Sequence, residues 1–225
     1  MGIPLRTIIV NCKNYPEIMG EGSVRLGMAL KRVVEDLGVE GIIAPPVPML
    51  ALVAARTGGS VYSQTVGSES GDKTTGAILP DAVKGAGANG TILNHSESRR
   101  PLGELVRLVP KLAAMSLGVC LCSQTSAEAA KLAKLAPRYV AIEPPELIGS
   151  GVAVSRARPE LISRTVSAVR KTGYNGKILC GAGIVSGEDV RKAVELGSDG
   201  ILVASSVVKA VDWDAKVREL SGSLV

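Results

Sequence analysis

The chain has 225 residues, a net charge of +5 and 46% hydrophobic residues, with no Phe and a single Trp. That is ample for a core, and the Ala, Val, Ile and Leu that supply it suit buried parallel strands covered by helices. No apolar run reaches the length of a membrane span and no leader is expected, while dispersed basic residues with almost no aromatic partners argue against a nucleic-acid surface.

In chain order, an apolar run near residues 5–12 reads as a strand ending in Asn11-Cys12-Lys13. Strand alternation sets Asn11 and Lys13 on one side and Cys12 on the other. An ammonium at a strand end attracts an anion and polarises a carbonyl; a plain surface lysine is the alternative. A helical stretch over 22–37, a strand over 39–44, a helix over 48–57 and a strand over 60–64 follow. From Thr65 to Ile78 no periodic pattern holds, which fits a functional or interfacial loop as well as a solvent loop. A helix over 80–87 leads to a strand over 90–94, and the run Gly90-Thr-Ile-Leu-Asn-His-Ser-Glu-Ser-Arg-Arg100 carries the only histidine, His95. Ser96 and Ser98 offer helix N-caps, so that His95 would face the donor end of a helix. There an imidazole can donate, accept or carry charge near neutral pH, although a structural histidine fits the position too.

Next come a helix over 102–116, a strand over 118–123, a helix over 126–136 and a strand over 138–143 that ends at Glu143. A carboxylate behind three apolar residues is partly desolvated, which suits a base. Pro144-Pro145 stiffens one end of the segment beyond it and Gly149-Ser-Gly151 frees the other, the grammar of a hinged lid; an ordinary loop beside a capping Glu is the alternative. In the helix over 159–173, Leu161, Ile162, Thr165, Val166 and Val169 share one face. A strand over 177–181, a helix over 187–196 opened by Ser186, a strand over 199–204, a helical turn from Ser205 and a helix over 213–221 complete the chain. The strand ends at Cys180-Gly-Ala-Gly183 and Val203-Ala-Ser-Ser206 are small enough for backbone N–H groups to approach a phosphate. Neither loop has the dinucleotide GxGxxG spacing, so no nicotinamide or flavin is expected.

Eight βα units in one unbroken chain predict a single-domain α/β fold over residues 1–225, a closed (β/α)8 barrel, with an open doubly wound sheet as the alternative. Chemistry in a barrel gathers where strands end and helices have yet to start. Cys12, Cys120, Cys122 and Cys180 lie in or beside apolar runs without a CxxC pair, which reads as buried thiols, no metal site and a cytoplasmic protein.

Taken together, Asn11-x-Lys13, the His95 run, and Ala141-Ile-Glu-Pro-Pro-Glu-Leu-Ile-Gly-Ser-Gly151 resemble, in order and over the whole chain, the triosephosphate isomerase family, with the short length of its archaeal branch. The resemblance implies a TIM barrel that interconverts dihydroxyacetone phosphate and D-glyceraldehyde 3-phosphate in glycolysis and gluconeogenesis, without a cofactor or metal. It implies that Asn11 and Lys13 contact the substrate, that His95 is a neutral electrophile and Glu143 the base, and that Glu97 supports the site. Phosphate would rest on backbone groups of Ile148, Gly149, Gly183, Ala204 and Ser205. Thr75, in the long loop, would reach a neighbouring subunit's site in a homo-oligomer, a dimer or tetramer. Glu146 and Leu147 stand where the family often has a lid tryptophan, Gly183 where Ser is commoner, and Ala204-Ser205 where two glycines are usual. A different phosphate-binding barrel enzyme, or a barrel that only binds a metabolite or nucleic acid, would share some of these features but needs no Asn-x-Lys with a strand-end histidine.

Overall fold

The computed structural model describes residues 5–69, 71, 73–144 and 158–225. Eight parallel strands close in sequence order: β1 (Thr7–Asn11), β2 (Glu40–Ala44), β3 (Ser60–Ser63), β4 (Gly90–Leu93), β5 (Gly118–Ser123), β6 (Tyr139–Ile142), β7 (Lys177–Cys180) and β8 (Gly200–Val203), with β8 pairing back onto β1. The expected barrel is therefore present, and the open sheet is not. Around it, among the described residues, run α1 (Glu21–Leu37), α2 (Leu50–Thr57), α3 (Pro80–Gly85), α4 (Leu102–Ala114), α5 (Ser126–Ala133), α6 (Pro159–Arg170), α7 (Gly187–Glu195), a single turn α8 (Ser205–Val208) and α9 (Trp213–Gly222). None of these helices is long and apolar enough to cross a membrane.

The strands are apolar on both faces because both faces are covered. Ile9, Ile42, Tyr62, Ile92, Tyr139 and Leu202 pack in one cluster at the barrel centre. Their neighbours one residue along, such as Ile8, Val10, Ile43 and Val61, join the larger layer shared with the helices. With no Phe available, Tyr62 and Tyr139 fill the interior, edge to face with ring centroids 6.2 Å apart. Gly90 and Gly118 make room for Tyr62: a Cβ on Gly118 would lie 2.2 Å from the Tyr62 hydroxyl. All four cysteines are free and buried, and burial pushes the thiols of Cys12 and Cys180 up to about 12.

Local signals set most helix boundaries. Ser186 and Asp189 form a reciprocal capping box at the start of α7. Gly173 and Gly197, at φ +82° and +97°, close the chain after α6 and α7. Ile162, Thr165 and Val169 form the buried face of α6, and Leu161 and Val166 pack partly buried beside them. One expectation fails: Ser96 and Ser98 cap no helix. Residues 96–98 form a turn closed by the Ser98 N–H on the His95 carbonyl at 2.8 Å, and α4 starts only at Leu102. The reason is local competition. Asn94 Oδ1 accepts the Arg100 N–H at 3.1 Å, and Pro101 holds an extended conformation at the helix entrance.

The end of the barrel at which the strands begin is closed by charge. Lys177 Nζ donates to Glu40 Oε2 at 2.7 Å and to Thr7 Oγ1 at 2.9 Å, Thr7 Oγ1 donates to the same Glu40 oxygen at 2.6 Å, and Arg138 reaches Glu40 Oε1 at 2.5 Å. Burial raises the Glu40 pKa, but Lys177 and Thr7 outweigh it and hold the carboxyl below its ordinary value. A depressed carboxyl pKa stabilises the fold above the unfolded-state value and loses that contribution as pH falls through the folded-state value. Glu40→Gln is therefore expected to cost about 2 kcal/mol at pH 7, as for hydrogen bonds to a charged group. Urea unfolding should show the deficit shrinking as pH falls into the carboxylate range; a deficit independent of pH would contradict this.

Candidate active site

At the opposite end, where the strands finish, a cleft is lined by Asn11, Lys13, His95, Glu143 and the loops after β7 and β8. Asn11 is the last residue of β1, and its Oδ1 accepts the Lys13 N–H at 3.0 Å. Lys13 itself sits at φ +45°, a region that non-glycine residues occupy only when held there. Gln64, just past β3, completes the hold: its Nε2 donates to the Lys13 carbonyl at 2.8 Å and to the Ala44 carbonyl at 3.1 Å. The side chain then places Nζ 2.6 Å from Glu97 Oε1.

His95 follows Asn94, which also has a positive φ of +61°. The ring is 7% exposed, and its Nδ1 accepts the Glu97 backbone N–H at 3.2 Å. An Nδ1 that accepts must carry a lone pair, so the neutral ring carries its proton on Nε2. One turn thus supplies the amide that a helix start was expected to supply. Nε2 lies 3.4 Å from Glu143 Oε1. Burial disfavours the imidazolium, but the Glu143 carboxylate outweighs it and the His95 pKa lies above its ordinary value, with Lys13 opposing.

Glu143 comes directly after β6, 3% exposed, with Oε2 buried and without a hydrogen-bond partner. Its backbone N–H donates to the Ser123 carbonyl at 2.7 Å, so the end of β5 fixes its height in the barrel. Gly181 fixes its side chain: a Cβ there would stand 2.7 Å from Glu143 Cγ. The small residue expected at a phosphate loop therefore also seats a carboxylate.

Gly183, at φ +68°, and Ala204 and Ser205, at the start of α8, line the same cleft. Ile148, Gly149 and the rest of the expected lid beyond Pro144 lie outside the described residues. Thr75 is exposed in the loop between β3 and α3 and does not line the cleft of its own chain. A second groove, lined by Asn14, Gln64, Thr65 and Glu97, adjoins the cleft at Lys13. Sequence reading missed Gln64, Asn94 and Tyr15. Asn before a strand-end histidine is a recognisable left-handed position. Gln64 has no local signal, since its partners are 51 and 20 residues away. Tyr15 lines the cleft with Lys209 Nζ 4.9 Å from its ring centroid.

Comparison with known proteins agrees over the full length. The family model described as triosephosphate isomerase matches residues 6–220. A triosephosphate isomerase of Caldivirga maquilingensis is 44% identical over 225 residues, 100% of this chain and 99% of that protein. Those of Methanosarcina barkeri and Methanosarcina mazei are 42% and 43% identical over 220 residues, each match covering 98% of this chain and 98% of the relative. With closed barrel, family model and full-length relatives in agreement, the chain belongs to the triosephosphate isomerase family.

Proposed function

We propose that the chain interconverts dihydroxyacetone phosphate and D-glyceraldehyde 3-phosphate through an enediolate, with Glu143 as the base and His95 as the electrophile. The observation that carries this reading is the 3.4 Å pairing of a buried carboxylate with an imidazole Nε2 whose other nitrogen is held by a backbone amide. Moving a carbonyl by one carbon requires taking a proton from the carbon beside it. Glu143 takes that proton, the C–H electron pair becomes the C=C bond of the enediolate, and the carbonyl oxygen gains negative charge. The His95 Nε2–H and the Lys13 ammonium donate to the developing charge. Glu143 then returns the proton to the neighbouring carbon while the hydroxyl proton of the first carbon passes to the former carbonyl oxygen, with His95 Nε2 giving a proton to one oxygen and taking one from the other, so the reaction balances without a cofactor. The phosphate is assigned to the backbone around Gly183, Ala204 and Ser205, because first-turn N–H groups have no intrahelical acceptor and glycine permits close approach. Asn11 is assigned to the substrate through its amide nitrogen, since its Oδ1 is occupied by Lys13.

The same reading assigns the chain to a homo-oligomer, dimer or tetramer, in the cytoplasm. The groove beside Lys13 and the exposed Thr75 loop support the first, and four buried free thiols support the second. Sedimentation at working concentration checks the assembly; a monomer would refute it.

A coupled assay on the two triose phosphates tests the reaction. Glu143→Asp retracts the base by a methylene and is expected to lower kcat by about a hundredfold or more, as misplacement by about 1 Å does, with the fold retained; near-normal turnover would remove Glu143 from its role. Lys13→Ala is expected to weaken calorimetric binding of a phosphorylated three-carbon analogue at least about tenfold, as loss of a charge-assisted contact requires. Unchanged affinity would argue against its contact with the substrate.

The electrostatics give a third test. The carboxylate is what raises the His95 pKa, so Glu143→Gln should lower it. In the parent chain, stabilisation from this pair is fully present below the unfolded histidine value of about 6.5 and is lost as pH rises through the higher folded value. Above that value the ring is neutral and Nε2–H is the donor. Because His95 is the only histidine, a nitrogen-15 titration reads it without assignment. A pKa unchanged or higher in the variant would show that Glu143 does not set it.

A further inference from the structure

We propose that Glu128, on α5 and outside the cleft, is a positioning residue that sets the register between His95 and Glu143; this rests on the reading of those two as electrophile and base. Thr125-Ser-Ala-Glu128 has the spacing of a capping box, and Thr125 plays its half, accepting the Glu128 N–H on Oγ1 at 3.2 Å. In that motif the glutamate reaches back to the amide of the N-cap. Glu128 instead accepts the N–H of Gln124, one residue earlier, on Oε2 at 2.8 Å. Its Oε1 accepts from Asn94 Nδ2 at 3.2 Å and from the Arg99 guanidinium.

Those contacts lie at the roots of both catalytic residues. Asn94 immediately precedes His95, is 2% exposed, and has its side-chain amide and its carbonyl engaged: its Nδ2 also donates to the Cys122 carbonyl at 2.9 Å, its Oδ1 accepts the Arg100 N–H, and its carbonyl accepts from Arg99 Nη1 at 3.1 Å. A single carboxylate therefore grips the His95 turn twice, directly at Asn94 and through Arg99. On the other side, Gln124 follows Ser123, whose carbonyl carries the Glu143 N–H and whose hydroxyl donates to the Ala141 carbonyl at 2.9 Å. From Glu128 one path runs through Asn94 to His95 and another through Gln124 and Ser123 to Glu143. The residue lines a groove between α4 and α5 and does not line the cleft, so any effect on the reaction acts through those paths.

The test uses the full-length chain with Glu128→Ala, Glu128→Gln and, as a control on the same helix, Ser126→Ala, which removes a 2.8 Å hydroxyl contact to Thr165. Steady-state kinetics, the His95 titration and thermal unfolding are read for each. Glu128→Ala is expected to lower kcat about tenfold with KM within about twofold, the pattern of misplaced groups rather than lost binding. Its His95 pKa should fall toward that of Glu143→Gln as the two side chains separate. Glu128→Gln keeps an acceptor for Asn94 but sets an NH2 against Arg99 or Gln124, and should fall between. Ser126→Ala should lose stability with kcat and the titration unmoved. The proposal is overturned if Glu128→Ala keeps kcat within twofold and leaves the His95 titration in place, whatever its stability. If that variant does not fold, the same null result in Glu128→Gln overturns it. Absence of isomerase activity in the parent chain would sink the functional reading alone, because the titration still reports whether Glu128 and His95 are coupled.

Discussion

The site depends on Glu97, which acts through two different parts. Its backbone N–H holds Nδ1 of His95 and its side chain holds Nζ of Lys13 at 2.6 Å. The first contact decides which ring nitrogen carries the proton and turns that nitrogen toward Glu143. The second decides where the ammonium lies relative to the same ring. Were the amide elsewhere, the neutral imidazole could choose either tautomer, and one of them would present a lone pair instead of a donor to the cleft. A turn of three residues therefore fixes the imidazole and ammonium side of the cleft, and the barrel wall fixes the carboxylate side.

The two ends of the barrel divide the work between them. Where the strands begin, charges meet charges: Glu40, Lys177, Arg138 and Thr7 satisfy one another and close the fold. Where they end, backbone strain is tolerated. Lys13 and Asn94 are two of only four non-glycine residues with positive φ among the described residues, and each directly precedes or constitutes a group assigned to the chemistry. Such conformations persist because hydrogen bonds from residues around them over-determine them, Gln64 and Asn11 for Lys13, and Cys122, Glu128 and Arg100 for Asn94.

What could be read from the sequence followed from how local each signal is. Apolar runs marked all eight strands because both faces of a barrel strand are buried, and the capping pattern at Ser186 marked α7 because a cap is completed within four residues. The same rule misled at Ser96 and Ser98, which look like caps but lose to Asn94 and Pro101. Asn11, Lys13, His95 and Glu143 stood out because polar residues ending apolar strands are chemically conspicuous. Gln64 and Glu128 did not, since their meaning lies in partners brought close only by the fold, and Gly181 was legible only as a small residue until Glu143 was seen lying against it. The Glu128 case is instructive: its spacing spells a motif that it does not complete.

The ion pair between Lys13 and Glu97 bears on how an anionic metabolite is caught. With His95 neutral, the formal charges of Lys13, Glu97 and Glu143 sum to minus one at the mouth, while the chain as a whole carries +5. The diffuse excess of basic side chains is then what draws a phosphate dianion out of bulk solvent, with a reach no longer than the ionic atmosphere permits. On the proposed reading, capture close to the surface passes to the Lys13 ammonium and to the fixed dipoles of the peptide groups. Encounter and capture would then act over two different electrostatic ranges, one that dissolved salt screens and one, at contact distance, that it scarcely touches.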